Sequence, residues 1–330
     1  MDLILKTDSF PVEANVHFPT DLNLLWDALR KCCDLVGKLE DFPGFRKLQF
    51  WYNKLKRTYL QASEIHRLKG RDYPERLGKA TTKYLKAARK FLPKVKMGIE
   101  SYIPGMDMLT TIRLQALQVF YDWAIKHVDL VERRIVKGEK IPHKEKVFSL
   151  FEPHVEWLQK NKPNKQVTIG HNALVTTDQF GYVVDWKVLE KETDKQTTIE
   201  LGDRLKERFK KGYHLKSISF DRGFYSGPGE KHLEGIFDEV AMPKPRPKSA
   251  KREEKEMQPD FIALRKKHSA VESNINELHH SGARRVPDRT IKGFKKYVGL
   301  AILAHNLKRL GRSVIELEAL PTVKCHKRAA

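Results

Sequence analysis
Three acids stand where carboxylates could handle a phosphodiester. Asp8 closes the stretch DLILKTD, Asp221 closes SISFD, and Glu272 lies within HSAVESNINEL. Carboxylate oxygens are the ligands that hard Mg2+ (or Mn2+) prefers. Two such ions about 3.5–4 Å apart can make a nucleophile from water or a 3′-hydroxyl and neutralise charge on the attacked and leaving oxygens. Three carboxylates crowded together repel one another unless cations intervene. A sequence that uses them in this way scatters them and leaves the fold to unite them. Here they are scattered, at positions 8, 221 and 272.

Each has a plainer reading. Asp8 could end a strand, and Asp221 could open a Gly-rich turn. Glu272 could be a solvated helix residue, although Val271 and Ile275 suggest a helix edge against a core. Glu152, in a Glu-Pro-His segment, is a rival metal-site acid and reads chiefly as structural. Asp178 reads as a turn former. Arg222 either touches a scissile phosphate or lies on the surface. His154 and His171 read as satisfied polar groups rather than ligands. Asn274 and Asn276 could touch DNA, with solvation the simpler reading.

The elements that must position these residues follow from periodicity. Residues 2–9 read as a strand ending near Asp8. Thr20 or Asp21 caps a helix carrying Leu22, Leu25, Leu29, Cys32 and Val36 at helical spacing. Helical pattern persists to about residue 137, with stripes at Trp51, Leu55 and Tyr59, at Leu85, Ala88, Leu92 and Val95, and at Leu117, Phe120, Trp123, Ala124, Val128 and Val131. Pro43-Gly44, Gly70 to Pro74 and Pro104-Gly105 divide it, giving a bundle of about four helices. Beyond Pro142, residues 146–151 read as a strand. Residues 166–177 and 182–189 read as a hairpin around Asp178-Gln179-Phe180-Gly181. Residues 192–211 read as a helix opened by Thr193 or Asp194. Then come a strand at 217–221, a loop at 223–229, a short helix at 230–237, a strand at 239–242, a charged linker at 243–256 and a helix at 259–278. A last helix spans 291–310, with Phe294, Val298, Ala301, Ile302 and Leu307 on its buried side.

Of 330 residues, 63 are Lys or Arg and 42 are Asp or Glu, a net charge of +21. That surplus points to a polyanion, nucleic acid first and an anionic membrane surface second. Residues 46–96 alone hold 16 Lys/Arg against Glu64, Asp72 and Glu75, which concentrates the charge in the helical block. Its aromatic residues, Trp51, Tyr52, Tyr59, Tyr73, Tyr84 and Phe91, read as packing, leaving the basic face for phosphates. No apolar run is long enough to span a bilayer, and residues 1–10 lack the character of a signal peptide, so the expectation is a cytoplasmic protein. Cys32, Cys33 and Cys325 form neither a disulfide framework nor a zinc site and read as reduced thiols.

With the helical block set aside, the order strand, strand, strand, helix, strand, helix, strand, helix resembles the ribonuclease-H-like fold. The resemblance implies an α/β protein: a mixed five-stranded sheet flanked by helices, with a large all-helical insertion after the first strand. The expected divisions are 1–20 for the first strand, 21–140 for the basic insertion and 141–330 for the rest of the catalytic domain. That fold carries carboxylates on its first strand, at the end of its fourth and on the helix after its fifth. Asp8, Asp221 and Glu272 occupy those slots.

Five segments, in order, resemble bacterial insertion-sequence transposases of the DDE class. TDSFPVEANVHFPTDLNLL (7–25) is similar to the first-acid strand and its "PTD" helix start. VFSLFEPHVEWLQKNK (147–162) is similar to an S-x-x-EP signature. SFDRGFYS (219–226) resembles the second-acid strand, HSAVESNINEL (268–278) the third-acid helix, and GFKKYVGLAILAHNLKRLG (293–311) the closing helix. The resemblance implies metal-dependent cleavage and strand transfer of an insertion element on double-stranded DNA, at element ends and target, by a homodimer or higher assembly. Asp8, Asp221 and Glu272 would be both the catalytic residues and the Mg2+ (or Mn2+) ligands. The chain departs from the family at four places. His268 and His279 stand where an Arg and a Lys are common, Phe10-Pro11 follows Asp8-Ser9, and seven residues stand before Asp8 where family members often carry an N-terminal DNA-binding domain. Two other functions remain open from the sequence: a non-catalytic basic DNA-binding remnant of a transposase, and a ribonuclease-H-like nuclease that cuts without joining.

Overall fold
The first strand runs well past its apolar centre. In the computed structural model, which describes residues 1–39, 41–45, 47–102, 107–159, 167–247 and 249–318, β1 spans Asp2–Ala14. It continues through Phe10-Pro11, beyond the expected end near Asp8. The chain divides into two compact units, Met1–Val16 with His154–Ala330 and His17–Pro153.

The unit His17–Pro153 is helical. It comprises α1 (Asp21–Val36), α2 (Leu48–Leu68), α3 (Tyr73–Ser101) and α4 (Met108–Val131). The Thr20 hydroxyl accepts the Asn23 N–H and starts α1, and the Asp107 carboxylate does the same for α4 through the Thr110 N–H. Leu22, Leu25, Leu29, Cys32 and Val36 are all buried, as are Leu55, Leu85, Ala88, Leu92, Val95, Leu117, Ala124, Val128 and Val131. Tyr84 and Phe91 lie inside the core, and Trp51, Tyr52, Tyr59 and Tyr73 pack against it. The aromatic residues are therefore packing groups. Cys32 and Cys33 are free and buried, and burial pushes the Cys33 thiol up to about 12. Pro104-Gly105 and Cys325 lie outside the described residues.

The other unit is a mixed sheet with helices. After the helical unit come β2 (Glu156–Gln159), β3 (Val167–Thr177), β4 (Val183–Val188), α5 (Asp194–Arg208), β5 (His214–Phe220), α6 (Gly227–Glu234), β6 (Glu239–Ala241), α7 (Ala250–Met257), α8 (Pro259–His268), α9 (Ala270–Leu278), β7 (Arg285–Val286) and α10 (Thr290–Glu318). The sheet has seven strands in the order β2-β3-β1-β5-β6, with β4 also on β3 and β7 also on β1. β3 runs antiparallel to β1 and β4, whereas β5 runs parallel to β1 and β6 parallel to β5. The five expected strands are β1, β3, β4, β5 and β6, and β2 and β7 are additional short pieces.

Alternation explains the packing. Leu3 and Leu5 point from β1 into a core with Leu174, Leu201, Leu205, Phe220 and Leu233. Residues Lys6 and Asp8 leave on the other face. The hairpin turn forms as read: the Asp178 carboxylate accepts the N–H groups of Phe180 and Tyr182, and Gly181 takes a left-handed φ of 81°. Thr193 and Gln196 form a capping box at α5.

Several expectations fail. No strand occupies 146–151. There the Ser149 hydroxyl accepts the N–H groups of Phe151 and Glu152 and bends the chain instead. The supposed loop at 223–229 already contains the start of α6, capped by Ser226. The supposed linker 243–256 contains α7, whose Arg252 is buried against Glu230 at 2.7 Å and Glu256 at 2.9 Å. Asn274 is neither solvated nor poised for DNA: it is buried, donates to the Thr177 hydroxyl and accepts from Arg309. Leu307 is exposed, because the buried side of α10 follows Phe294, Val298, Ala301, Ile302 and His305. Among the described residues, no helix is long and apolar enough to cross a membrane.

Candidate active site
The register of β1 and β5 brings the first two acids together. Thr7 pairs with Phe220 across parallel strands, so the next residues, Asp8 and Asp221, sit side by side about one strand spacing apart, about 4.8 Å. At Asp221 the chain leaves the sheet, while β1 runs on. Among the described residues, β1 regains a neighbour on that side only at Glu13, which pairs with Arg285 of β7. The acids thus lie where a notch opens in the sheet. Each accepts the N–H of the following residue at 2.7 Å, Ser9 for Asp8 and Arg222 for Asp221. That bond uses Oδ1 and leaves Oδ2 for another partner.

Glu272 joins them from the exposed side of the first turn of α9, beside the buried Val271. Burial pushes the Asp8 carboxyl up to about 7, and the negative charges of Asp221, Asp194 and Glu272 add to the rise against the Ser9 N–H. The charges of both other expected acids therefore reach Asp8.

Asp194 is a fourth acid that the sequence offers only as a helix start. Its Oδ1 is buried without a hydrogen-bond partner. Burial raises its pKa, Asp221 adds to this, and the Ser9 side chain opposes it. A Cβ on Gly223, two residues past Asp221, would come 3.6 Å from Asp194 Oδ2. Asp194 thus faces the end of β5 from the start of α5, and a capping position gave no other signal in the sequence.

His268 completes the group. Its Nδ1 lies 3.1 Å from the Ser219 hydroxyl, and its Nε2 is buried without a partner. Burial lowers its pKa, and Lys6 acts in the same direction. Asp221, the Ser219 bond and Glu272 act in the opposite one. Lys6 lies on the Asp8 face of β1 and donates to the Asp178 carbonyl at 3.3 Å.

The remaining candidates fall elsewhere. Glu152 is buried in the unit His17–Pro153. His154 and His171 bond each other at 2.9 Å, and His171 also bonds Glu156 at 2.9 Å, so both are satisfied polar groups. The side chains of Arg222 and Asn276 are exposed. His279 packs on the ring of Phe10 at 5.3 Å.

Among the described residues, no group of three or more His, Cys, Asp or Glu side chains is already arranged to hold a metal ion. The donor chemistry nevertheless fits a hard cation. The donors are carboxylates whose charges converge on the buried Asp8, and one oxygen of the neighbouring Asp194 is buried and partnerless. A divalent ion relieves both conditions.

A row of cations lies on α3. Arg76, Lys79, Lys83, Lys86 and Lys90 are exposed and recur at spacings of three and four, so they form one ladder about 21 Å long. The opposite face carries Leu77, Tyr84, Leu85, Ala88, Phe91 and Val95 into the core. A straight row of cations on a rigid helix suits a phosphate backbone.

Compared with protein-family models, curated proteins and solved structures, the chain has no match in any of the three.

Proposed function
We propose that this chain is a DNA-processing enzyme of the DDE transposase type. In this reading its catalytic unit is ribonuclease-H-like, and the helices of residues 17–153 are an insertion after the first strand. The observation that carries the reading is the convergence of charge at the sheet notch: Asp8 and Asp221 are neighbours by register, and the charge of Glu272 reaches Asp8. The element order is the one the resemblance implies, and the basic ladder of α3 supplies a surface for double-stranded DNA, the substrate at element ends and target. In this reading the chain works in the cytoplasm.

Asp8, Asp221 and Glu272 would hold Mg2+ or Mn2+, with Asp194 as a nearby fourth carboxylate. When bound, such ions supply a nucleophile from water or a 3′-hydroxyl and neutralise charge at the scissile phosphate. The chain's own groups prepare the site. Backbone N–H groups of Ser9 and Arg222 orient the two strand-end carboxylates. Ser219 holds His268 against the acids. The α3 cations bind phosphates and hold the duplex in register.

Plasmid cleavage tests the reading. Asp221→Ala is expected to abolish Mg2+-dependent strand cleavage while DNA affinity, read by fluorescence anisotropy, stays within about twofold. Cleavage unchanged by Asp221→Ala would reduce the protein to a basic DNA binder. Cleavage without strand transfer would make it a nuclease of the same fold.

A further inference from the structure
One face of α10 is apolar and open. Leu300, Leu303, Leu307, Leu310, Val314 and Leu317 are 43–68% exposed. Their spacings are three, four, three, four and three, the a/d pattern of a heptad repeat held for the whole outer half of the helix. At about 100° per residue this stripe lies opposite the one formed by Phe294, Val298, Ala301 and His305, which packs α10 on its own unit. The helix therefore has one seam that is used and a second that is open.

We propose that the second seam pairs with the same seam of a second copy of this chain, forming a two-helix coiled coil without DNA. The inference does not rest on the catalytic reading. Charge restricts where two copies can meet. The chain carries +21, so copies repel over most of their surface. The stripe has no charged residue, and its flanks are Ala304, Asn306, Gly311 and Ser313. The nearby cations Lys308, Arg309 and Arg312 lie off the seam, and Arg309 and Arg312 are drawn to Glu277 at 3.5 and 3.3 Å. Leu300, Leu307 and Val314 fall at a and Leu303, Leu310 and Leu317 at d, and leucine at every d with a β-branched residue at one a is compatible with two strands. Six large side chains about half exposed offer on the order of 600 Å2 per copy. Their flanks bring this towards the ~800 Å2 per partner of an ordinary stable interface. A stripe of that size is at the upper end of what a monomer leaves in water, about 600 Å2.

Sedimentation of the full chain at tens of micromolar, in high salt without DNA, tests the proposal. The parent is expected at twice the chain mass. The double variants Leu307→Lys/Leu310→Lys and Leu307→Glu/Leu310→Glu are each expected at the chain mass, with unchanged circular dichroism. An equal mixture of the two variants is expected to return to twice the chain mass. A monomeric parent, or a parent and variants that all dimerise alike, would overturn the proposal, as would a variant mixture that stays monomeric.

Discussion
Asp8 carries the largest electrostatic load at the notch. Its carboxyl is raised from 3.8 to about 7, first by burial and then by Asp221, Asp194 and Glu272. Such a group binds its proton more tightly in the folded state than in the unfolded one. Its contribution to stability is full below about pH 4 and is lost as pH rises through 7. Asp8→Asn removes that loss. In chelator at pH 8 the variant is expected to be more stable than the parent, by at most about 4 kcal/mol, and the difference is expected to vanish near pH 4. Urea unfolding at the two pH values measures it, and a variant no more stable at pH 8 would contradict a crowded, buried acid. At this scale the sequence pointed to Asp8 and Asp221 as acids closing apolar runs, and to Glu272 through its place on the helix after the fifth strand. Asp194 was legible only as a cap. Its place beside Asp221 depends on α5 and β5 meeting in space, which no local pattern encodes.

At the scale of elements, the notch exists because β1 outlasts β5. Glu13 donates its N–H to the Arg284 carbonyl. Two residues earlier, Pro11 points the same way, into the stretch where β1 has no neighbour among the described residues. A missing N–H there costs no ladder bond, which is how proline sits inside a strand. Read locally, the polar residues after the apolar centre suggested that the strand ended near Asp8. The Asp178–Gly181 hairpin and the Thr20 cap were readable because their signals are local. The helix α7 was not, because the partner of Arg252 is Glu230, about twenty residues away. A similar tie joins β4 to α5. Asp185 is 1% exposed and accepts from Arg204 at 2.6 Å. Asp185→Ala leaves that guanidinium short of a partner, and a loss of about 3 kcal/mol is expected. The urea midpoint should fall at unchanged m-value, and a loss under about 0.5 kcal/mol would show that Glu200 alone satisfies Arg204.

For the whole molecule, composition points to a class of partner and the fold offers a surface for it. The +21 charge alone could not distinguish a solvated coat from a binding face. The proposed reading places that face on the α3 ladder, where one helix face presents five cations while the other is core. Lys83→Glu/Lys86→Glu/Lys90→Glu is expected to weaken DNA binding at every sequence. It should also flatten the dependence of log affinity on log salt by about 0.9 for each phosphate that the variant no longer neutralises. Anisotropy titrations over a salt series measure both, and an unchanged slope would move the DNA-binding face elsewhere.

The claim on which the rest depends is that Asp8, Asp221 and Glu272 grip one divalent centre. Calorimetric titration of Mn2+ into the full chain at pH 8 addresses it without reference to any DNA. The account predicts saturable binding by the parent and strong weakening in each of Asp8→Asn, Asp221→Asn and Glu272→Gln. A parent that takes up no Mn2+, or binding untouched by all three substitutions, would contradict it.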